Sequence, residues 1–198
     1  MTFHPDAEIF SSVEFSFETL SQRLRELSFL NAGIRIEITD ERSSKSHDFC
    51  YDGGIISFVE HLNRNRSPLH EKPIFISGER KIPGAKSVPV SVEIALQYND
   101  SYNESVYSFA NNINTLEGGT HLIGFRTALT RTINRYIAAN LKNGKHAPES
   151  VTGDDLREGL TAVISDTLHQ PEYEGQTKSK LGTSEVSGHD EGIHYKQK

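Results

Sequence analysis

The chain has no tryptophan and almost no sulfur: its 198 residues include one cysteine and one methionine, and hydrophobic residues make up 35%. A single cysteine excludes an internal disulfide, which favours a reducing compartment such as the cytoplasm. No apolar run approaches the roughly 18 residues that a transmembrane helix needs. Residues 1–6 lack the basic and apolar regions of a signal peptide. We therefore expect a cytoplasmic protein with no membrane partner.

Acidic residues exceed basic ones over the whole chain but are missing from one segment. The totals are 27 Asp and Glu against 21 Lys and Arg, a formal net charge of −6, which argues at first against a nucleic-acid partner. Residues 118–148 contain no Asp or Glu. A solvated helix face is the ordinary interpretation of such a segment, and a surface for a phosphate backbone is the alternative. Its five basic residues are Arg126, Arg131, Arg135, Lys142 and Lys145.

Hydrophobic periodicity predicts an α+β protein whose strands are mostly antiparallel. Alternating segments predict two hairpins, one of them joining strands 88–98 and 106–110. The lean apolar content fits a disordered segment at residues 183–198. The predicted helices are 17–30, 55–63 and about 120–141, and the predicted strands are 34–38, 49–51, 74–76, 88–98, 106–110 and 160–168.

Two of these helices have a predicted apolar face. In helix 17–30, Leu20, Leu24 and Leu27 face inward and Glu26 faces outward. In helix 120–141, Arg131 and Arg135 lie opposite the apolar stripe and Arg126 lies at its edge, where burial would require a partner. That stripe comprises Leu122, Phe125, Leu129, Ile133, Tyr136 and Ile137.

The sequence indicates neither a metal centre nor a catalytic residue. His47 and Cys50 have ligand-like spacing, but no second pair completes four ligands. Cys50 lies in an alternating segment and is interpreted as a small core residue. Residues 119–124 have the glycine spacing of a phosphate loop, yet they lack the Lys and the hydroxyl residue that should follow. We interpret this segment as a turn into a helix with Thr120 as the N-cap.

A loop at residues 174–182 is a candidate phosphate site. Gly175 permits a tight turn, Gln176 can donate two hydrogen bonds, and Lys178 supplies a flexible positive charge. These groups suit a terminal phosphate, although a lysine in an exposed loop is usually only solvated.

Read together, these segments resemble the B subunits of bacterial type IIA DNA topoisomerases, a family that includes the gyrase and topoisomerase IV B subunits. The matching motifs run in order from residue 1 to about residue 186. They include Tyr51-Asp52-Gly53-Gly54-Ile55, Asn111-Asn112-Ile113, Gly118-Gly119-Thr120-His121-x-x-Gly124-Phe125-Arg126, Thr152-Gly153-Asp154-Asp155-x-Arg157-Glu158-Gly159 and Gln176-Thr177-Lys178.

The resemblance implies a position within a larger subunit. Residues 1–31 are similar to the last strand and helix of a GHKL ATPase domain. Residues 32–182 are similar to a transducer domain, whose fold resembles ribosomal protein S5 domain 2. It implies that Gln176 and Lys178 contact the γ-phosphate of ATP bound with Mg²⁺, and that Arg126 lines a cavity for DNA. Arg131 and Arg135 are DNA candidates through the basic face alone.

The resemblance also implies partners: DNA, the ATPase and TOPRIM domains of the B subunit, the topoisomerase A subunit, and a second B subunit. The family's catalytic Glu, magnesium-binding Asn and adenine-binding Asp lie upstream of this sequence, and TOPRIM lies beyond it. We therefore expect a fragment, inactive alone, with residues 183–198 as a non-family tail. The alternatives are a stand-alone S5-like nucleic-acid-binding module and a non-functional gene remnant.

Overall fold

The computed structural model describes residues 2–81, 89–140 and 150–183. The chain divides into two compact units, Met1–Gly54 and Ile55–Lys198. In the described residues the helices are α1 (Phe17–Leu30), α2 (Ile55–Asn63) and α3 (Thr120–Asn140). The strands are β1 (Ile36–Asp40), β2 (Lys45–Phe49), β3 (Ile74–Lys81), β4 (Pro89–Tyr98), β5 (Ser105–Ala110), β6 (Ile113–Asn114), β7 (Leu160–Thr167), β8 (Tyr173–Glu174) and β9 (Lys180–Leu181).

The first unit consists of α1 and the antiparallel β1–β2 hairpin. Ser16 caps the helix by accepting a hydrogen bond from the Thr19 N–H at 3.2 Å. The Phe17 ring of α1 lies 5.0 Å from the His47 ring of β2, and Phe29 stacks on Tyr51, just after β2, with 3.8 Å between centroids, so helix and hairpin share one small core. The hairpin therefore belongs to the same compact unit as α1, and the domain boundary after residue 31 stays a prediction.

The buried face of α1 differs from the predicted leucine face. Phe17, Ser21 and Phe29 are buried, while Leu20 is 39% exposed. Glu26 is buried rather than outward-facing, because it accepts a hydrogen bond at 2.7 Å from Arg23. The prediction was wrong here because the hairpin offers aromatic partners to the other side of the helix.

Both strands of the hairpin lie closer to its turn than predicted. β1 begins at Ile36, two residues later than predicted, and the return strand β2 runs from Lys45 to Phe49, so it begins and ends earlier. Cys50 therefore lies beyond β2 and is exposed, which corrects its interpretation as a core residue. The chain before α1 forms a turn at residues 7–9 and no strand among the described residues 2–16.

The second unit is built on a mixed five-stranded sheet with the order β3-β4-β7-β5-β6. All neighbouring pairs are antiparallel except β5 and β7. The predicted hairpin between β4 and β5 is wrong, because β7 lies between them and bonds to both. The predicted α+β class is confirmed.

The two long helices of this unit cover opposite faces of the sheet. On one face, Phe58 of α2 lies 5.7 Å from the Tyr107 ring and 6.1 Å from the Phe109 ring. On the other face, Phe125 of α3 packs with the β7 residues Leu160, Ala162 and Ile164. Since side chains alternate along a strand, odd and even residues of β5 and β7 serve different helices.

A buried polar network fixes α2 at the end of the sheet. The Thr161 hydroxyl donates to the side-chain oxygen Oδ1 of Asn63 at 2.7 Å and accepts from the side-chain nitrogen Nδ2 of Asn99 at 3.1 Å. Asn63 in turn donates to Gln97 at 2.8 Å. Gln97 of β4 is buried, and both its side-chain oxygen and its side-chain nitrogen are hydrogen-bonded, as is usual for buried amides.

Some predicted features fall at or beyond the edges of the description. Lys142 and Lys145 lie outside the described residues, as do residues 184–198. Thr183, the first residue of the predicted disordered segment, is buried and accepts a hydrogen bond from the Glu172 N–H at 2.8 Å. In the part of the chain that the structure describes, no helix is long and apolar enough to span a membrane.

Candidate functional site

The candidate phosphate loop forms the tip of a short hairpin. β8 and β9 pair antiparallel, with Tyr173 opposite Leu181 and Glu174 opposite Lys180. Residues 175–179 connect them, and both Gln176 and Lys178 are exposed there. The Gln176 amide makes no hydrogen bond within the described residues, so its donors are available to a ligand.

Lys178 is held only weakly. Its backbone is left-handed, with φ at 55°, and its N–H donates to the Gly175 carbonyl at 3.3 Å. Its ammonium nitrogen lies 5.7 Å from the centre of the Tyr173 ring, and a cation–π contact at an exposed site is worth only about 0.5–1 kcal/mol. An anion could therefore take this ammonium group at little cost.

The base of the hairpin is fastened at two places. The Tyr173 hydroxyl donates to the Ala110 carbonyl of β5 at 3.0 Å. On the other leg, the Leu181 N–H donates to the Gly118 carbonyl at 3.0 Å, in the turn that opens α3. The exposed tip thus stands on an anchored base.

The approach of Leu181 explains the second glycine of the turn. Gly119 has φ at +140°, and a Cβ there would lie 2.4 Å from the Leu181 carbonyl oxygen. The turn predicted at these glycines is confirmed, but α3 begins at Thr120 itself. The Thr120 hydroxyl donates to the Thr183 carbonyl at 2.7 Å instead of capping the helix.

Arg126 lies at the edge of the buried face of α3, as predicted, and its partner is Glu104. Its Nε and Nη2 donate to one Glu104 oxygen at 3.0 and 2.8 Å. The other oxygen faces Arg157 Nε at 3.5 Å. The Arg126 side chain is 37% exposed and that of Glu104 is 25% exposed, so the pair remains accessible from solvent.

The other two predicted arginines, Arg131 and Arg135, lie on α3 and are exposed. The apolar stripe of α3 is shorter than predicted, because Tyr136 is 60% exposed whereas Phe125 and Ile137 are buried. Arg126, Arg131 and Arg135 thus share one helix, and Gln176 and Lys178 lie in the hairpin bound to the start of that helix.

Sequence reasoning missed Glu104, Arg157 and two buried titratable groups. The side chains of Asp166 and His121 are buried, and neither Asp166 oxygen nor His121 Nδ1 has a hydrogen-bond partner among the described residues. Burial raises the pKa of Asp166 to about 7 and lowers the pKa of His121 to about 4. Nothing in the local sequence marks these residues. Glu104, for example, contacts Arg126 from 22 positions away in the sequence.

Within the described ranges, no group of three or more His, Cys, Asp or Glu side chains lies close enough together to hold a metal ion. Hydrogen-bond donors and positive charge that suit an anion occur at two places. One is the hairpin tip with the Gln176 amide and the Lys178 ammonium group, and the other is the arginine-bearing helix α3.

The fold defines a class of protein through its similarity to solved structures. The 43K ATPase domain of Thermus thermophilus gyrase B, in complex with an aminocoumarin, superimposes with a TM-score of 0.74 and 36% identity. The match covers 92% of this chain and 47% of that one. The fold is therefore that of a portion of a topoisomerase B-subunit ATPase region.

Sequence comparison identifies the family. The DNA gyrase B family model matches residues 54–197, so the chain belongs to the DNA gyrase B family. The B subunit of DNA gyrase from Myxococcus xanthus is 57% identical over 188 residues, which are 95% of this chain and 22% of that protein. The corresponding protein of Clostridium acetobutylicum is 55% identical over 186 residues, 94% of this chain and 28% of that protein.

Two facts about these matches bear on the site. The family match contains all five predicted site residues, and it also reaches into the segment 183–198 that we expected to depart from the family. The chain spans only about a quarter of the length of these two relatives.

Proposed function

We propose that this chain is the transducer part of an ATP-dependent type IIA DNA topoisomerase B subunit, which couples ATP binding and hydrolysis to DNA strand passage. Residues 1–31 are assigned to the end of the GHKL ATPase domain and residues 32–182 to the transducer. The observation that carries the proposal is the exposed hairpin tip with Gln176 and Lys178, fastened to the helix that bears the arginines.

The hairpin tip is proposed to hold the γ-phosphate of ATP. The Gln176 amide and the Lys178 ammonium group are donors with no acceptor in the described hairpin, and a terminal phosphate offers several acceptor oxygens. ATP supplies the transferable phosphoryl group, with Mg²⁺ bound outside this chain. When the phosphate is released, the two donors lose their ligand, and the contact that holds the hairpin tip at the nucleotide is lost.

Three arginines of α3 are proposed to contact DNA, Arg131 and Arg135 from its exposed face and Arg126 from the edge of its buried face. Arg126, Arg131 and Arg135 lie on a helix that contains no acidic residue, in a chain whose net charge is −6. Phosphate contacts supply most of the sequence-independent affinity for DNA. A topoisomerase cavity that must accept any DNA segment requires that kind of contact.

The remaining partners follow from the same proposal: the ATPase and TOPRIM domains of the subunit, the A subunit, and a second B subunit. The exposed apolar side chains of the first unit, among them Phe3, Ile9 and Phe10, support contact with further protein. We propose a cytoplasmic location and no ATPase or DNA-cleaving activity for this chain alone.

The test is Lys178→Ala in a full-length B subunit that carries this sequence. We expect the ATPase kcat to fall roughly 100-fold, because a charge-assisted contact with the reacting phosphate is lost. The matched control is Lys180→Ala, which removes a lysine two positions away whose partner is Glu174 at 3.0 Å. Normal turnover in the Lys178 variant, or an equal loss in the control, would reject the γ-phosphate assignment.

A further inference from the structure

The hairpin and α3 are joined by a side-chain contact in addition to the backbone bonds described above. The Ser179 hydroxyl donates to a Glu117 carboxylate oxygen at 2.7 Å. The Glu117 N–H donates back to the Ser179 carbonyl at 2.9 Å. We call this reciprocal pair, together with the Leu181–Gly118 bond, the clasp. It connects the residue immediately after Lys178 to the turn immediately before α3.

The loop itself offers no other firm attachment. A Cβ at Gly175 would meet nothing within 4 Å, and the Lys178 N–H bonds only within the loop. Among the described residues of the loop 175–179, Ser179 is the one whose side chain bonds outside the hairpin, and it directly follows Lys178. A hydroxyl bond to a carboxylate at this length is charge-assisted and so stronger than a neutral hydrogen bond of the same geometry, while the exposure of Glu117 lets solvent weaken it.

We propose that Ser179 and Glu117 are positioning residues, which orient Lys178 for the terminal phosphate and transmit its engagement to the first turn of α3. The inference rests on the proposed function, since it requires Lys178 to bind that phosphate. α3 is a continuous helix of 21 residues, so a displacement at its first turn moves Arg126, less than two turns along, as part of the same rigid element. The clasp is therefore a physical connection between the ATP-sensing loop and the DNA-facing helix, made within one unit of this chain.

The kinetic test uses the full-length subunit with Ser179→Ala, Glu117→Ala and the double variant. Because one contact joins the two residues, each single variant should lower the DNA-stimulated kcat roughly fivefold, and the double variant should fall no further. The KM for ATP should stay within about twofold, since the loop is proposed to meet only the terminal phosphate. Ser179→Thr keeps the hydroxyl and should restore activity. Glu174→Ala, which breaks the ion pair inside the hairpin, is the matched control and should behave like the parent.

A second measurement does not depend on turnover. Hydrogen exchange of the full-length subunit is followed with and without a non-hydrolysable ATP analogue. In the parent, the analogue should protect the amides of residues 118–124 as well as those of the loop. In Ser179→Ala the loop should remain protected, while the protection of residues 118–124 is lost.

The outcomes separate the inference from the proposed function. If Lys178→Ala leaves turnover unchanged, the proposed function fails and the clasp has nothing to position. If Lys178→Ala abolishes turnover while the clasp variants behave like the parent, or their effects add in the double variant, the inference alone is overturned. Unchanged protection of residues 118–124 in Ser179→Ala would overturn it as well.

Discussion

Asp166 is the residue whose chemistry departs furthest from its ordinary behaviour. Its carboxyl is buried without a partner among the described residues, and burial raises its pKa to about 7. In an unfolded chain the same group has a pKa near 3.9. Between these values the native state holds a proton that the unfolded state releases, so its contribution to stability is lost as the pH rises towards 7. His121, whose pKa burial lowers to about 4, has the opposite effect, because its contribution is lost as the pH falls from 6.5 towards 4.

Asp166→Asn should therefore stabilise the protein at pH 8, by about 2–4 kcal/mol, because the variant has no carboxylate to bury. At pH 4 the native carboxyl is already protonated, so the parent and the variant should differ little. The measurement is urea denaturation of both proteins from pH 4 to pH 8. A variant that is less stable than the parent at pH 8 would contradict the buried-carboxyl account.

Substitutions at Glu104 and Arg126 should change the DNA affinity in opposite directions. Since its carboxylate neutralises Arg126 and faces Arg157, Glu104→Gln should raise DNA affinity several-fold and make the binding more salt-dependent. Arg126→Gln should lower DNA affinity and impair DNA-stimulated turnover and supercoiling. Glu60→Gln, an equal charge change on the exposed side of α2, is the control. The measurement is DNA affinity at two salt concentrations. If neither substitution changes the affinity, this helix does not contact DNA.

At the level of elements, the turn before α3 depends on close backbone approach. Gly119→Ala places a methyl group 2.4 Å from the Leu181 carbonyl oxygen, and neither backbone can withdraw without breaking the Leu181–Gly118 bond. We expect a loss of about 2 kcal/mol or more in the free energy of unfolding. Gly175→Ala is the matched control, because that glycine also has a positive φ but would meet nothing within 4 Å. Equal losses in thermal denaturation would show that backbone strain alone, rather than the approach of Leu181, constrains the turn.

The elements themselves were predictable, and their arrangement was less so. Helices α1 and α2 were predicted with their observed bounds, and α3 to within one residue, because apolar periodicity and caps are local signals. The partner of β5 was not predictable in this way, since β7 follows it by about fifty residues and inserts beside it. The same limit hid the burial of Gln97, because its partners Asn63 and His70 lie about thirty residues earlier in the chain.

For the molecule as a whole, the net charge conceals one basic element. The net charge of −6 averages over α3, which has three arginines and no acidic residue. Gln176 and Lys178 lie on an exposed loop, as the glycine and polar residues around them indicate locally, and their role in binding phosphate stays a prediction. The attachment of that tip to α3 is a tertiary feature, and neither Glu117 nor Ser179 stands out in the sequence.

The isolated chain should show no ATP turnover. Residues 175–178 provide an amide, a hydroxyl and an ammonium group, which can bind a phosphate, but no carboxylate or imidazole that could orient the attacking water. Binding without that group leaves the chemical step uncatalysed, so phosphate release should equal the buffer rate at any protein concentration. A full-length B subunit with this sequence should hydrolyse ATP in the same assay, which shows that the assay and the sequence are sound. Turnover by the isolated chain that disappears in Lys178→Ala would show that the catalytic group lies within these residues, and the proposed division of labour between hairpin and ATPase domain would then be wrong.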